Sequence, residues 1–251
     1  MEVKNKERFS VSSFSLHILA MALMLCDHLW ATLLADQEWL SAIGRMAFPI
    51  FAFLSAEGFR RTKNFKKYAL RLLVAAIISE VPFDLMYGGT PFDPFHQNVI
   101  WTFLLAHLCM LGVRAAEKRG KPVLTVIASV LISLAGWLVG TLLMVDYGGE
   151  GVLTVLLFFF FTGERPWQKL CQVISMAVIH CCLIGGLTFS VTLFSHTFEL
   201  PEQGLALLSL IPIWFYRGKQ GIHNRGVRAL FYGFYPVHML ILALLMLCLY
   251  K

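Results

Sequence analysis

The sequence predicts an all-α, polytopic integral membrane bundle of about nine transmembrane helices with a cytoplasmic N-terminus. Of the 251 residues, 58% are hydrophobic and 14% are charged, and the mean hydropathy is +0.70. Soluble domains usually carry about 25% charged residues, so a surface that faces lipid explains the deficit. No Pro-, Gly- or Ser-rich linker divides the chain, and we expect one membrane-embedded domain over residues 1–251.

Long apolar runs predict the individual helices, because a helix needs about 20 mostly apolar residues to cross the hydrocarbon core. Lys4, Lys6 and Arg8 precede the first run as in a secretion signal, but Asp27 and His28 interrupt that run and no cleavage site follows. We therefore expect a retained first helix. The sixth and eighth segments are short, which leaves open whether they span fully. The predicted segments are 13–34, 43–61, 67–87, 98–114, 122–145, 150–162, 168–191, 203–216 and 228–250.

The basic residues segregate as a nine-segment topology requires. With a cytoplasmic N-terminus, alternate loops hold 19 of the 21 Lys and Arg residues, and only Arg45 and Lys251 lie elsewhere. Cytoplasmic loops of membrane proteins carry this excess, which predicts a plasma (inner) membrane location. The loops assigned to the other side carry acidic residues instead, namely Asp36, Glu38, Asp93, Asp146, Glu150, Glu199 and Glu202.

The net charge of +6 does not indicate a nucleic-acid partner, because the basic residues form short clusters between apolar runs. Such clusters are typical of loops that face anionic lipid headgroups, so the lipid bilayer is the expected partner. The six cysteines lie inside apolar runs and form no CxxC pair. The pattern predicts neither a disulfide framework nor a metal site.

Ionisable side chains inside the predicted spans point to function, since each costs at least about 2.5–3.5 kcal/mol in the hydrocarbon core. Such residues usually face a cavity or a partner. The sequence leaves open a structural ion pair between Glu57 and Arg71. The residues concerned are His17, Asp27, His28, Arg45, Glu57, Glu80, Asp84 and His238.

Helical geometry places some of these residues on a common helix face. His17 and His28 are 11 residues apart, which places them on one helix face and roughly 16 Å apart along it. Asp27 points about 100° away from that face, which directs it towards another helix. Two partners are open there: Asp27 orients another histidine such as His238, or it binds Arg45. Tyr235 and His238 are three residues apart and give the last helix a polar stripe.

Several sequence blocks resemble the TraX family of membrane proteins. The specific blocks are LHILAMALMLCDHLW, GRMAFPIFAFLSAEGFRRT and KKYALRLLVAAIISEVPFDL. Asn98 with Thr102, the triplet Asp146-Tyr147-Gly148 before Gly151, and FYGFYPVHM from Phe231 to Met239 extend the match. The resemblance runs from residue 14 to residue 240.

The TraX family is named for an enzyme that N-acetylates conjugative F-type pilin, and it is similar to a wider set of transmembrane acyltransferases. The resemblance implies transfer of an acetyl group from acetyl-CoA to an acceptor on the far side, with His28 as the central residue. Similar proteins often have Lys or Arg 11 residues before that histidine, where this sequence has His17.

Acyl transfer needs a base or a nucleophile, and His28 suits either role. We expect His28, Asp27, Arg45, His238 and Tyr235 to form the catalytic centre, with Arg45 or Tyr235 stabilising the oxyanion. The expected acetyl-CoA contacts are His17, Arg60, Arg61, Lys67 and Arg71. The expected contacts of an amine or hydroxyl acceptor are Glu57, Glu80, Asp84, Asn98, Asp146 and Tyr147.

A proton-coupled secondary transporter is the alternative function. Intramembrane Asp, Glu and His residues also serve as proton relays. Many transporters show repeat symmetry between chain halves, which this sequence lacks. The acyltransferase interpretation is therefore preferred.

Overall fold

The computed structural model describes residues 10–193 and 196–249, and in this part the protein is an all-α bundle with one β-hairpin. The predicted class of helical membrane bundle is confirmed. Six helical stretches among these residues are long and apolar enough to cross a membrane. The helices are α1 (Ser13–Thr32), α2 (Glu38–Gly44), α3 (Ala47–Arg61), α4 (Phe65–Gly88), α5 (Val99–Glu117), α6 (Pro122–Leu142), α7 (Gly148–Phe160), α8 (Pro166–Ala177), α9 (Leu210–Trp214) and α10 (Arg225–Leu249).

Helix α7 lies at the centre of the bundle, where it packs against α3, α5 and α6. It has 13 residues, too few for a lipid-exposed span, and most of its side chains are buried by neighbouring helices. Helix α6 is peripheral and leaves apolar side chains such as Val126, Leu131 and Leu138 exposed. An exposed apolar face of this size is what a bilayer covers.

The segment predicted as a helix over 168–191 ends earlier in the structure. Helix α8 continues as a π-helix to Ile184, and then Gly185 and Gly186 adopt positive φ angles of 63° and 95°. These angles favour glycine and end the helix. The chain then forms an antiparallel hairpin of β1 (Thr188–Leu193) and β2 (His196–Pro201), which the sequence analysis did not predict.

The short segment predicted over 203–216 is not one α-helix. A 3₁₀-helix over Glu202–Ser209 is followed by α9. Pro212, which lacks a backbone donor, lies inside this five-residue helix. The tighter 3₁₀ geometry rises about 2.0 Å per residue, so a short segment reaches further than an α-helix of equal length.

The basic loops meet at one end of the bundle. The backbone amides of Val11 and Phe14 donate to the carbonyls of Phe215 and Gln220, both at 3.0 Å. Arg61 donates to the Gly218 carbonyl at 2.9 Å. At the opposite end, the loop before α5 and the loop before α7 are bonded to each other, and Ser41 donates to Glu202 at 2.5 Å. The candidate functional site lies between these two ends.

Candidate active site

Two histidines from the first and last helices form a buried pair. Nδ1 of His28 lies 2.7 Å from Nε2 of His238, and the ring centroids are 4.9 Å apart with the planes nearly parallel. Both side chains are 7% exposed. The pair links α1 to α10, whose histidines are 210 residues apart in the chain.

The hydrogen bonds of this pair define its neutral tautomers. Nδ1 of His238 lies 2.6 Å from the carbonyl oxygen of Phe234, one helical turn earlier. A carbonyl only accepts, so Nδ1 of His238 carries the proton and its Nε2 accepts from Nδ1–H of His28. Nε2 of His28 is then left with a lone pair, and it has no hydrogen-bond partner among residues 10–193 and 196–249. This atom is suited to act as a base or a nucleophile.

Asp27 binds Arg45 rather than His238, which decides between the two partners that the sequence left open. The carboxylate and the guanidinium form an ion pair, and Nε of Arg45 also donates to the Ser41 carbonyl at 3.3 Å. Glu202 lies 3.8 Å from the same nitrogen. Gly44 makes this approach possible, because a Cβ there would lie 2.5 Å from the Cβ of Asp27.

The first cavity, which we call the outer cavity, has a volume of about 350 Å³ and lies at the acidic end. Tyr147 on its wall stacks on Phe48 at 4.0 Å and holds a positive φ of 61°, a strained conformation typical of functional sites. Six of the predicted catalytic and acceptor-binding residues line it, namely Asp27, His28, Arg45, Asp146, Tyr147 and Tyr235.

The second cavity, the inner cavity, has a volume of about 410 Å³ and lies towards the basic end. His17 lines it, donating from Nδ1 to the Ser13 carbonyl at 2.7 Å and stacking on Phe231 at 4.3 Å. Arg61, Arg71 and Glu57 are also on its wall. Three predicted donor-binding residues therefore share one cavity.

The two cavities share five lining residues, Met24, Phe51, Val99, Phe103 and Tyr235. These side chains border both spaces. The ring of Tyr235 is 6.4 Å from that of His28, so the histidine pair is close to the shared wall.

Glu57 pairs with its own helix rather than with Arg71. Its carboxylate accepts from Arg61 at 2.6 Å, from Arg60 at 3.0 Å and from the Tyr216 hydroxyl at 3.2 Å. Burial and the carboxylate raise the pKa of Tyr216 to about 12. Arg71 instead lies over the ring of Tyr68 at 5.6 Å, so the ion pair considered from the sequence does not form.

Six predicted site residues line neither cavity, namely His238 of the histidine pair and five others. Arg60 donates to Thr162 and to the Phe158 carbonyl, and Lys67 is exposed on the first turn of α4. Glu80 accepts from the Trp101 indole at 2.7 Å and from Asn98, and Asn98 caps α5 at the Ile100 amide. Asp84 accepts from the Asp93 amide at 2.9 Å.

The structure adds cavity residues that the sequence analysis missed. Tyr87, His96 and Trp30 line the outer cavity, and His223 and Arg228 line the inner one. The indole N–H of Trp30 is buried and has no partner among the described residues. The available signal for His96 is a histidine in an external loop that also carries Asp93.

His96 is a partly exposed titratable group on the wall of the outer cavity. Its Nε2 lies 3.7 Å from Oδ1 of Asp146. The interaction with this carboxylate raises the pKa of His96 against the opposing effect of partial burial. No group of three or more His, Cys, Asp or Glu residues suited to a metal ion occurs in the described part of the chain.

Comparison with known proteins identifies relatives of this chain. The family model described as TraX protein matches residues 12–246. The probable fimbrial assembly protein FimC, serogroup H1, of Dichelobacter nodosus is 29% identical over 243 residues, which cover 92% of this chain and 94% of FimC. Protein TraX of Escherichia coli (strain K12) is 30% identical over 186 residues, 69% of each chain. No solved structure matches.

Proposed function

The chain belongs to the TraX family, and from this premise we propose that it is a membrane-bound acyltransferase. It moves an acetyl group from acetyl-CoA to an amine or hydroxyl acceptor. One observation carries the proposal: the His28–His238 hydrogen bond leaves Nε2 of His28 unprotonated, and His28 lines a cavity that shares lining residues with a second, basic cavity. A reactive side chain in one of two adjoining cavities suits transfer from a donor to an acceptor.

The inner cavity is the proposed donor site. Arg61, Arg71 and Arg228 on its wall supply cations for the phosphates of acetyl-CoA. The aromatic side chains of Phe231 and Tyr232, also on the wall, supply apolar surface for the remainder of the molecule. The thioester then reaches the shared wall at Tyr235, and the acceptor enters through the outer cavity.

At the reaction centre, Nε2 of His28 takes a proton from the acceptor as the acceptor attacks the thioester carbonyl. Arg45 or Tyr235, which line the same cavity, stabilises the oxyanion. The carbon–sulfur bond then breaks, and His28 returns the proton to the leaving thiolate. In a covalent variant of this route, Nε2 attacks the thioester first and passes the acetyl group to the acceptor.

We place the basic end in the cytoplasm and count nine crossing segments, with α2 and α3 as one segment and the 3₁₀-helix with α9 as another. The charge bias of the loops supports this orientation in the inner membrane. Reporter fusions test it, because alkaline phosphatase is active only outside the cytoplasm. Fusions after residue 118 should be inactive and fusions after residue 93 active, and the reverse pattern would invert the topology.

The central experiment measures acetyl-CoA hydrolysis and self-acetylation by purified protein. Wild-type turnover that is lost in folded His28→Ala supports the acyltransferase. His107→Ala is the matched control, since His107 is also a fully buried helical histidine but lines neither cavity. Full turnover in His28→Ala would exclude His28 as the centre.

A secondary transporter is the second candidate, because two adjoining cavities with shared lining residues also suit alternating access. The ion pair of Asp27 and Arg45 would then serve in proton coupling. Flux across proteoliposomes in the absence of acetyl-CoA consumption would favour this function over the enzyme.

A further inference from the structure

Two loops at the acidic end hold His96 and Asp146 opposite each other. The amide of Gln97 donates to the Met144 carbonyl at 2.9 Å, and the amide of Asp146 donates to the Gln97 carbonyl at 2.8 Å. These bonds fix the neighbouring side chains, so that Nε2 of His96 faces the Asp146 carboxylate. The backbone thus positions a histidine–carboxylate pair that lies on no predicted span.

His96 and His28 both lie beside the ring of Tyr87 in the outer cavity. The ring of Tyr87 is 5.8 Å from that of His96 and 6.0 Å from that of His28. All three residues line the cavity. The side chain of His96 is 43% exposed, whereas His28 is buried. One histidine therefore lies at the reaction centre and the other has access to water.

Titratable side chains face His96 from its own loop, from α4 and from the loop before α7. Asp84 and Tyr87 face it from α4, Asp146 from the loop before α7, and Asp93 from its own loop. Asp84 accepts from the Asp93 amide, and Asp93 accepts from the Phe95 amide at 2.9 Å. Asp146 forms no ion pair with Lys or Arg among the described residues, and its carboxylate faces His96. Its negative charge keeps the pKa of His96 raised.

Transfer to an amine requires the removal of two protons. An amino group is mostly protonated at neutral pH, with a pKa of about 7.7–8.0 for an α-amine and about 10.4 for lysine. It must lose one proton before it can attack and a second as the amide forms. His28 holds only one, which it returns to the thiolate. A second base in contact with solvent is therefore needed.

On the basis of the proposed function, we propose that His96, oriented by Asp146, is this second base for amine acceptors. With Nε2–H directed at Asp146, Nδ1 of His96 takes a proton from the incoming ammonium group. The free amine moves past Tyr87 to the thioester, while the imidazolium passes its proton to water. His28 takes the second proton, so each step balances.

The test compares two acceptors that differ in protonation. The side-chain amine of N-acetyl-lysine amide is charged at neutral pH, whereas hydroxylamine is largely uncharged. In His96→Gln, we expect the ratio of kcat/KM for hydroxylamine to that for the lysine amide to rise roughly 100-fold, as for loss of a general base. His107→Gln is the control, and its ratio should equal that of the wild type.

Asp146→Asn provides a second measurement through the pH profile. Loss of the carboxylate lowers the pKa of His96. In the pH profile of kcat/KM for the lysine amide, the acidic limb should therefore move to lower pH. An unchanged ratio in His96→Gln, or an unmoved limb in folded Asp146→Asn, would overturn the inference. So would wild-type protein that hydrolyses acetyl-CoA but acetylates no amine. Absence of any acetyl-CoA turnover would instead refute the proposed function itself.

Discussion

Replacement of His238 by phenylalanine isolates the role of the histidine pair. Phenylalanine keeps a ring that stacks on His28, but it cannot accept the hydrogen bond that now joins the two side chains at 2.7 Å. Nδ1–H of His28 is then a buried donor without a partner. In a larger fraction of molecules the proton of the neutral His28 ring then moves from Nδ1 to Nε2. Those molecules lack the lone pair on Nε2 that acts as base or nucleophile.

The magnitude follows from the cost of the lost hydrogen bond. An unsatisfied buried donor costs about 1–3 kcal/mol. Since each 1.36 kcal/mol corresponds to a tenfold change in rate, kcat should fall about 5- to 150-fold. His238 lines neither cavity, so the KM for acetyl-CoA should remain unchanged.

Steady-state acetyl transfer at varied acetyl-CoA concentration measures both constants. His107→Phe is the matched control, because Nδ1 of His107 also bonds a carbonyl one turn earlier, that of Phe103 at 2.5 Å. Its Nε2 is buried and bonds no residue in the described ranges. A wild-type kcat in folded His238→Phe, or an equal fall in His107→Phe, would refute the tautomer argument.

Two further predictions concern packing and the donor cavity. Gly44→Ala places a Cβ 2.5 Å from that of Asp27 and should lower stability by about 1–3 kcal/mol. Gly233→Ala, with nothing within 4 Å, should be neutral or raise stability by up to about 1 kcal/mol, and thermal unfolding in detergent compares the two. Arg71→Ala should raise the KM for acetyl-CoA about tenfold through loss of a charged hydrogen bond. Lys66 is exposed, and Lys66→Ala should leave this KM unchanged. Equal KM values for acetyl-CoA in the two variants would contradict the assignment of the inner cavity to the donor.

Most helices could be predicted from apolar run length, because each buries its backbone polar groups within itself. Helices α1, α4, α5, α6 and α10 begin and end within a few residues of the predicted segments. The errors lie where local geometry overrides hydropathy. Gly185 and Gly186 end the eighth helix early, and the following apolar residues pair as strands.

The candidate site was predicted in part. Ionisable residues inside apolar runs identified Asp27, His28, Arg45 and His238, because burial of such groups in lipid is costly. Glu80, found by the same reasoning, and Asn98, suggested by the family resemblance, bond to each other and join α4 to α5. This reasoning did not identify His96, because a histidine in a loop is not buried in lipid and carries no such free-energy cost.

The sequence by itself determined most of the helical segments, which loops are basic and which helix face His17 and His28 share, because these depend on residues close together in the chain. Tertiary structure decided the contacts. Whether Asp27 meets His238 or Arg45 depends on the rotation and depth of separate helices, which no local pattern specifies. The bond between His28 and His238 joins the two ends of the chain, and only the packing of α1 against α10 brings these residues together.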